Sequence, residues 1–306
     1  MKKVVTIGGG TGHYTLLRGL KNYDIDLTAL VNMVDSGGHT GKLRDEFGFL
    51  PAGDLRRCLL ALSEEPGVLR EVFEYRIGKD CVGNMIIAAT EAVAGKGKYI
   101  QETGKFLRIR GNVLPITIDD THVYAKTSNR NQLYKEANVS YGCKKDEKII
   151  KIWLEPEAFI FREAAEAIRT SDLIVICPGE LYGSVIPSFL VGGVNKAIQD
   201  SKAKIVYVCN LVTKQGTYGF KASDFIKEIE KYCKKNLDYV ILNTKKPAQI
   251  VVDKYKGEES EFVEPDMPGL EKKVIKAELL IEYQSNGKIL ARHDAEKTAK
   301  LIMSLV

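Results

Sequence analysis

The chain is 306 residues long, with 44% hydrophobic and 28% charged residues and only nine prolines beside 27 glycines. These proportions exclude a disordered or collagen-like chain. The 45 Lys and Arg residues exceed the 40 Asp and Glu residues by five and are spread along the chain, so we expect no nucleic-acid partner. No apolar run approaches the roughly 18 residues of a membrane span, and the N-terminus does not resemble a signal peptide. We therefore expect a cytoplasmic protein.

The cysteines give no sign of a metal or redox site. All six stand at least 23 residues apart, and the four histidines are equally scattered. Zinc sites and redox motifs need closely spaced pairs, so none is expected. Cys177 and Cys209 lie inside apolar runs and are expected to be buried as small hydrophobic residues.

Short apolar runs recur along the chain, and each ends in glycine or a small polar residue. They cover residues 4–7, 27–34, 173–177, 205–209 and 239–242. Continuous apolar strands that alternate with helical segments are typical of a parallel sheet covered on both faces. The predicted fold class is α/β, with a doubly wound, Rossmann-like parallel sheet.

The pattern changes in the middle of the chain. The alternation of Leu107 and Ile109 with Arg108 and Arg110 predicts a half-exposed antiparallel strand over residues 106–110. Further strands are predicted at 114–118, 122–125 and 149–154, and a helix at 157–169. We predict a single domain with a first nucleotide-binding half at 1–105, a β-rich insertion at 106–155 and a second half at 156–306.

A glycine-rich loop follows the first predicted strand and consists of Gly8, Gly9, Gly10, Thr11 and Gly12. Glycines let the backbone approach a phosphate, and the free amides at a helix start attract anions. The spacing is GxGxG with His13 at the position of the third dinucleotide-binding glycine, which disfavours nicotinamide chemistry. Phosphate binding is the favoured interpretation, and a tight turn without a ligand is the alternative.

A second loop follows the second predicted strand, which we expect to end at Asp35. An acidic side chain there commonly accepts hydrogen bonds from a ribose. Gly37 and Gly38 make the loop flexible, and Arg44 is predicted to bind a phosphate with two hydrogen bonds. A polar surface loop is the alternative interpretation.

Other polar residues follow predicted strands or begin predicted helices. Asp54 and Asn84 are natural helix N-caps. Gly179 and Tyr182 belong to a strand–glycine–helix arrangement in the second half. Asn210 and Asn243 end two further predicted strands, and their amide side chains can donate and accept hydrogen bonds to a base or sugar. Each also has an interpretation as a turn residue. Because these strand ends meet at one edge of the sheet, together they favour a nucleotide ligand.

The motifs resemble, in order and over nearly the whole chain, the family of 2-phospho-L-lactate transferases and gluconeogenesis factors. The matching segments are 8–12, 35–38, 41–44, 50–56, 110–115, 178–182, 206–210 and 292–294. The resemblance is closer to the gluconeogenesis factors, which implies a regulatory protein that binds a UDP-sugar type of nucleotide and acts in carbon metabolism and cell morphogenesis. It implies a nucleotide over the glycine loop, with Asn210, Asn243, Tyr255 and Arg292 near it.

The transferase branch supplies the alternative function. There the resemblance implies transfer of a phospholactyl group from an activated nucleotide to a deazaflavin acceptor, with Mg²⁺ as cofactor and Asp54 as the acidic group near the acceptor. The sequence departs from the family at residues 79–82 and at Glu180, where the family has serine, and a carboxylate there is expected to repel a phosphate. A homo-oligomer remains an open expectation.

Overall fold

The computed structural model describes residues 1–65, 67–266, 273–285 and 287–306. The strands are β1 (Lys2–Gly8), β2 (Ile25–Val31), β3 (Arg76–Ile77), β4 (Asp80–Cys81), β5 (Asn112–Pro115), β6 (His122–Thr127), β7 (Gln132–Tyr134), β8 (Ile149–Glu155), β9 (Leu173–Ile176), β10 (Lys204–Val208), β11 (Tyr239–Asn243), β12 (Lys273–Ala277), β13 (Leu280–Ser285) and β14 (Lys288–His293). The helices are α1 (Gly10–Leu20), α2 (Gly38–Phe47), α3 (Ala52–Leu62), α4 (Val68–Glu74), α5 (Val82–Ala94), α6 (Tyr99–Phe106), α7 (Lys135–Tyr141), α8 (Arg162–Thr170), α9 (Ile186–Leu190), α10 (Val194–Asp200), α11 (Ala222–Cys233), α12 (Gln249–Gly257) and α13 (Ala295–Met303). A π-helical turn, Leu181–Val185, precedes α9.

The centre of the fold is a parallel sheet that has seven strands over the described residues. Their order is β12-β11-β10-β9-β1-β2-β5, and every neighbouring pair runs parallel. The sheet grows outward from β1 in both directions, which is the doubly wound pattern. The predicted Rossmann-like α/β class is therefore confirmed.

The inner strands are buried on both faces. Val4, Val5 and Ile7 of β1 are at most 2% exposed, and all four residues of β9 are fully buried. α1 packs against α3 and α13, while α10 packs against α8 and α9. Strands covered in this way have uninterrupted apolar sequences, which is why the sequence revealed them. Cys177 and Cys209 are buried as predicted.

The β-rich segment forms a small antiparallel sheet of its own with strand order β7-β6-β8. The strands predicted at 122–125 and 149–154 are confirmed as β6 and β8. Helix α7 continues from β7 and packs against both β6 and the π-helical turn. The insertion therefore reaches the carboxyl end of β9 through α7.

The strand predicted at 106–110 is wrong. Helix α6 continues to Phe106, and Arg108 then turns the chain with a φ of +47°. Ile109 makes an isolated bridge to Ser63. The apolar residues of this stretch pack around a helix end, which mimics strand alternation over so few residues. The next strand, β5, pairs with β2 as an edge strand of the central sheet.

The C-terminal part adds the β13–β14 hairpin beside α12. A separate small apolar cluster holds the hairpin and the helix together, and it includes Leu211, Val251, Tyr255, Leu280 and Ala291. Side chains from α12 and β14 thereby reach the segment that follows β10. Across the described residues, the structure has no helix that is both long and apolar enough to span a membrane.

Candidate functional site

A cavity of about 1150 Å³ lies at the carboxyl ends of the central strands. Residues one or two positions beyond the ends of β2, β9 and β10 line it, together with the start of α1. Ligand sites of this fold class lie at this edge, and the volume exceeds the roughly 300–1,000 Å³ of a typical small-molecule site. The predicted site residues that line the cavity are Gly10, Thr11, Gly12, Asp35, Gly37, Gly38, Asp54, Asn84, Gly179, Asn210, Tyr255 and Arg292.

The glycine loop presents the start of α1 to the cavity. Gly9 precedes the helix without a capping side chain, so the first-turn amides have no intrahelical acceptor. The Gly10 amide donates to the Asp54 carboxyl group, and the following amides of Thr11 and Gly12 are available to an anion. Gly10 has a φ of +67°, and the space in front of its Cα is open. A Cβ on Gly12 would come within 1.9 Å of the Pro178 carbonyl oxygen, so only glycine fits there. Gly8 and Gly9, the first two residues of the loop, do not line the cavity.

His13 supports the glycine loop from the core. Its side chain is fully buried, with Nε2 2.7 Å from Thr6 Oγ1 and Nδ1 3.6 Å from Cys58 Sγ. Burial lowers the pKa of His13 to about 4, so the ring is neutral at pH 7. The residue that departs from the dinucleotide-binding pattern therefore belongs to the packing beneath the loop.

Two carboxyl groups stand beside the glycine loop. Asp54 is not the predicted N-cap, because α3 begins at Ala52 with Pro51 at that position. A Cβ on Gly9 would approach Asp54 Oδ2 within 2.4 Å, so this carboxyl group lies directly against the loop. Burial, followed by the charge of Asp35, raises the pKa of Asp54 to about 7.

Asp35, the second carboxyl group of this pair, lies in an irregular segment after β2. β2 ends at Val31, four residues earlier than expected, and Asp35 Oδ1 accepts a hydrogen bond from the Gly37 amide at 3.0 Å. The loop is held by Arg44, which does not line the cavity. Its guanidinium donates to the Asp35 carbonyl at 3.1 Å and to Asp120 at 2.6 Å. The described contacts of Arg44 therefore position the loop, and its predicted phosphate contact remains a prediction.

A second pair of carboxyl groups, Glu136 and Glu180, meets at Ser140. Ser140 Oγ lies 2.7 Å from Glu136 Oε1 and 3.1 Å from Glu180 Oε2. Serine has one hydroxyl proton, so both contacts are hydrogen bonds only when one carboxyl group is protonated. Burial is the first cause that raises the pKa of both groups, that of Glu180 to about 7.

Glu180 also has a structural role that explains a carboxylate at this position. It caps the π-helical turn, accepting hydrogen bonds from the Tyr182 and Gly183 amides. Its expected repulsion of a phosphate is weakened, because the pKa near 7 leaves part of the population neutral. Tyr182 itself is 2% exposed and donates its hydroxyl to Glu228 at 3.2 Å, so the structure does not bring it to the cavity.

Asn32 is a cavity residue that the sequence reasoning missed. It is 3% exposed and donates its amide to the Gly183 carbonyl at 3.1 Å, while Oδ1 has no hydrogen-bond partner within the described part of the chain. The sequence signal for Asn32 was its position one residue after the end of β2. Asn210, which was predicted, lies two residues after the end of β10. Glu136 and Ser140 gave no such signal, because they come from the insertion helix.

Asn210 and Asn243 occupy different environments. Asn210 lines the cavity, donates to the Gly179 carbonyl at 2.6 Å and accepts from the Tyr207 hydroxyl at 2.9 Å. Asn243 does not line the cavity; its Oδ1 accepts from the amides of Lys245, Leu279 and Leu280. Asn243 therefore ties β11 to the start of the hairpin.

Tyr255 and Arg292 come together at the hairpin side of the cavity. The Ala291 amide donates to the Tyr255 hydroxyl at 3.0 Å, which leaves the hydroxyl proton available to a ligand. Arg292 Nη1 donates to the Ala291 carbonyl at 2.8 Å, and its Nε has no partner among the described residues. One phenol and one cation are thus held by the same residue of β14.

The comparisons with known proteins identify the family. The family model described as 2-phospho-L-lactate transferase CofD matches residues 4–280. The chain belongs to the CofD family. Within this family, a putative gluconeogenesis factor of Thermotoga maritima is 38% identical over 98% of both chains. A gluconeogenesis factor of Bacillus subtilis is 31% identical over 99% of this chain and 98% of its own length.

A solved structure agrees with this assignment. A crystal structure from Bacillus halodurans, 34% identical, matches 99% of this chain and all of the solved chain with a TM-score of 0.93. The expected resemblance to gluconeogenesis factors within the CofD family is therefore confirmed.

Proposed function

We propose that this CofD-family protein is a regulatory protein of the gluconeogenesis-factor type that binds a sugar nucleotide of the UDP-sugar kind. The observation that carries the proposal is that Thr11 and Gly12 of the glycine loop and the Tyr255–Arg292 pair line one cavity. Relatives named gluconeogenesis factors match the chain over its whole length. A role in carbon metabolism and cell morphogenesis forms part of this proposal.

The binding mode follows from the charges around the loop. A diphosphate would accept hydrogen bonds from the first-turn amides of α1, whose helix dipole favours anions. Arg57 lines the same part of the cavity and lies 3.4 Å from the Thr11 hydroxyl, where it adds a positive charge. Tyr255 and Arg292 would donate hydrogen bonds to the sugar or base.

Mg²⁺ fits the site as a companion of the diphosphate. Magnesium is commonly bound through one or two carboxylates, waters and substrate phosphates. Asp54 and Asp35 supply two carboxyl groups that repel each other, and the unpartnered Oδ1 of Asn32 is a further oxygen in the same cavity. These residues would hold the cation, which supplies charge neutralisation for the phosphates.

The test is a thermal-shift screen of uridine and guanosine nucleotides, sugar nucleotides and NAD, each with and without Mg²⁺. We expect the largest rise in unfolding temperature with a uridine sugar nucleotide and no rise with NAD. A Tyr255→Phe variant should lose part of the rise, because the phenol proton is gone. The proposal would be contradicted if only NAD raised the unfolding temperature, or if none of the nucleotides raised it.

One observation favours a second candidate function, phospholactyl transfer. A carboxyl group whose pKa lies near 7, such as Asp54, is suited to take a proton from an acceptor hydroxyl. The assay incubates the protein with activated phospholactate, a deazaflavin acceptor and Mg²⁺ and measures the coupled product by mass. We expect no product. Turnover that Asp54→Asn eliminates would establish the transferase instead.

A further inference from the structure

The cavity contains a buried cation that the proposed function does not use. Arg56, on α3, is 9% exposed and lines the cavity. Its Nη1 donates to the Phe73 carbonyl at 3.1 Å, and its Nε has no hydrogen-bond partner within the described residues. No carboxylate of the described chain forms an ion pair with it. A buried charge is costly unless an opposite charge accompanies it.

The charged groups around Arg56 include more cations than anions. After burial, the positive charges of Arg57 and Arg76 lower the pKa of Arg56, while the negative charge of Glu74 raises it. Asp80 is the acidic residue of the neighbouring β3–β4 turn, and it already contacts Lys42 at 3.3 Å and His39 Nε2 at 3.4 Å. The part of the cavity around Arg56 therefore retains an excess of positive charge.

Neutral donors converge on the same compartment. Helix α5 begins at Val82 with Cys81 at the N-cap position, so the prediction of Asn84 as the N-cap is wrong. The Val82 amide donates to the Tyr75 carbonyl at 3.0 Å, and the next amides of the first turn have no intrahelical acceptor. Asn84, in that first turn, is 3% exposed, lines the cavity and has no partner for Oδ1 among the residues described. Its Nδ2 lies 3.4 Å from Thr40 Oγ1, a hydroxyl that can also donate, so a rotated amide would direct its N–H groups into the compartment.

The β3–β4 turn forms the rim of this compartment. Arg76 and Lys79 are exposed and line the cavity, and Arg76 Nη1 donates to the Lys79 carbonyl at 3.0 Å. The Cys81 amide donates to His39 Nδ1 at 2.9 Å, which anchors the turn to α2 and leaves the ring proton on Nε2. Two cations are thus held at the entrance to the buried Arg56.

We propose that Arg56, Arg76, Lys79 and Asn84 form a second anion subsite, which binds one phosphate or carboxylate group separately from the glycine loop. We refer to these four residues as the Arg56 compartment. The proposal deepens the proposed function, on which it rests for the ligand that shares the cavity. Guanidinium groups and helix-start amides are the donors that proteins use for compact oxyanions.

The experiment titrates inorganic phosphate into a Gly10→Ala protein, in which the glycine loop is impaired, at constant ionic strength with chloride as reference. Calorimetry should detect phosphate binding in this background. Adding Arg56→Gln should weaken it at least tenfold, and Arg169→Gln, which removes the same charge outside the cavity, should leave it unchanged. Equal affinity with and without Arg56→Gln, or no binding in the Gly10→Ala background, would overturn the proposal.

A second variant guards against misfolding of Arg56→Gln. Arg76→Gln combined with Lys79→Gln changes exposed side chains only and should weaken phosphate binding at least threefold; an unchanged affinity would contradict the subsite. Sugar-nucleotide titrations of the wild type separate the two proposals. Phosphate binding that depends on Arg56, without any sugar-nucleotide binding, would remove the proposed function and leave the Arg56 compartment standing.

The source of the anion is resolved in the same titration. If the sugar nucleotide displaces from the wild type the phosphate whose binding is lost in Arg56→Gln, the nucleotide ligand itself carries the second anionic group. If both bind together, a separate small phosphorylated or carboxylated molecule fills the Arg56 compartment. Either result supports the subsite, provided that the phosphate response disappears with Arg56→Gln.

Discussion

Asn210 donates its side-chain amide to the backbone carbonyl of Gly179 across 2.6 Å. This hydrogen bond joins the segment after β10 to the segment after β9 at the wall of the cavity. The other end of the amide accepts from the hydroxyl of Tyr207, which is fully buried. A ligand contact by Asn210 would therefore use the remaining hydrogen-bonding capacity of a side chain that already fixes the cavity wall.

Asn210→Ala should lower the free energy of unfolding by about 1–3 kcal/mol, because it leaves the buried Tyr207 hydroxyl without its acceptor. The affinity for each nucleotide that binds should fall, and the fold-decrease should be similar from one nucleotide to the next. Urea unfolding and calorimetric titration measure the two effects. In the matched variant Tyr207→Phe the amide keeps its bond to Gly179, so ligand affinity should be preserved. Loss of affinity in Tyr207→Phe as well would contradict this division of roles.

The elements that the sequence predicted well are those whose structure is determined by residues close together in the chain. The apolar runs of β1 and β9 report burial on both faces, and the glycine loop reports a close backbone approach. Strand ends in a parallel sheet share one edge, so the predicted convergence of Asp35, Gly179 and Asn210 required no tertiary information.

The features that the sequence did not predict depend on contacts between distant segments. Glu136 and Ser140 reach the cavity because the insertion folds α7 against the π-helical turn, and no motif marks them. Asn243 is the last residue of β11, and Asn210 lies just beyond the end of β10, yet the Asn243 side chain accepts hydrogen bonds from the amides of Leu279 and Leu280 at the start of the hairpin. A strand end alone cannot distinguish a ligand contact from a tie between elements.

The two glycines at the start of α1 should respond differently to alanine. Gly12→Ala should destabilise the protein by about 3 kcal/mol, since the new methyl group meets the Pro178 carbonyl. Gly10→Ala should cost only about 1–2 kcal/mol for its positive φ, because the space before it is open. Thermal and urea unfolding rank the variants. Greater destabilisation by Gly10→Ala would contradict the described packing of the loop.

Nucleotide affinity should depend on pH through Asp54 and Glu180, whose pKa values are raised to about 7. Without Mg²⁺, raising the pH from 6 to 8 ionises both groups, and their repulsion should weaken diphosphate binding about tenfold. With Mg²⁺ the decrease should disappear, because the cation requires the ionised carboxylates. Calorimetry at pH 6, 7 and 8 measures both series.

Asp54→Asn should reduce the slope of the series without Mg²⁺ and leave the smaller contribution of Glu180. The control variant is Glu166→Gln, which removes an exposed carboxylate outside the cavity and should keep the full pH dependence. Equal slopes for Asp54→Asn and the wild type would show that Asp54 does not face the diphosphate.

The stability of the protein without ligand gives an independent check on Asp54. A carboxyl group with a raised pKa binds its proton more tightly in the folded state, so stability falls as the pH rises from about 4 through 7. Asp54→Asn removes this loss and should be more stable than the wild type by up to about 4 kcal/mol at pH 8. At pH 4 the two proteins should be nearly equal. A constant difference at all pH values would contradict the raised pKa.

The most direct test of sugar-nucleotide binding at the glycine loop and the Tyr255–Arg292 pair is calorimetric titration of a UDP-sugar at pH 7 with Mg²⁺. We predict one binding site per chain in the wild type. Affinity should be at least tenfold lower in Gly10→Ala and in Arg292→Gln, while Arg169→Gln, changed outside the cavity, should bind like the wild type. Absence of binding by the wild type, or equal affinity in all four proteins, would contradict the account.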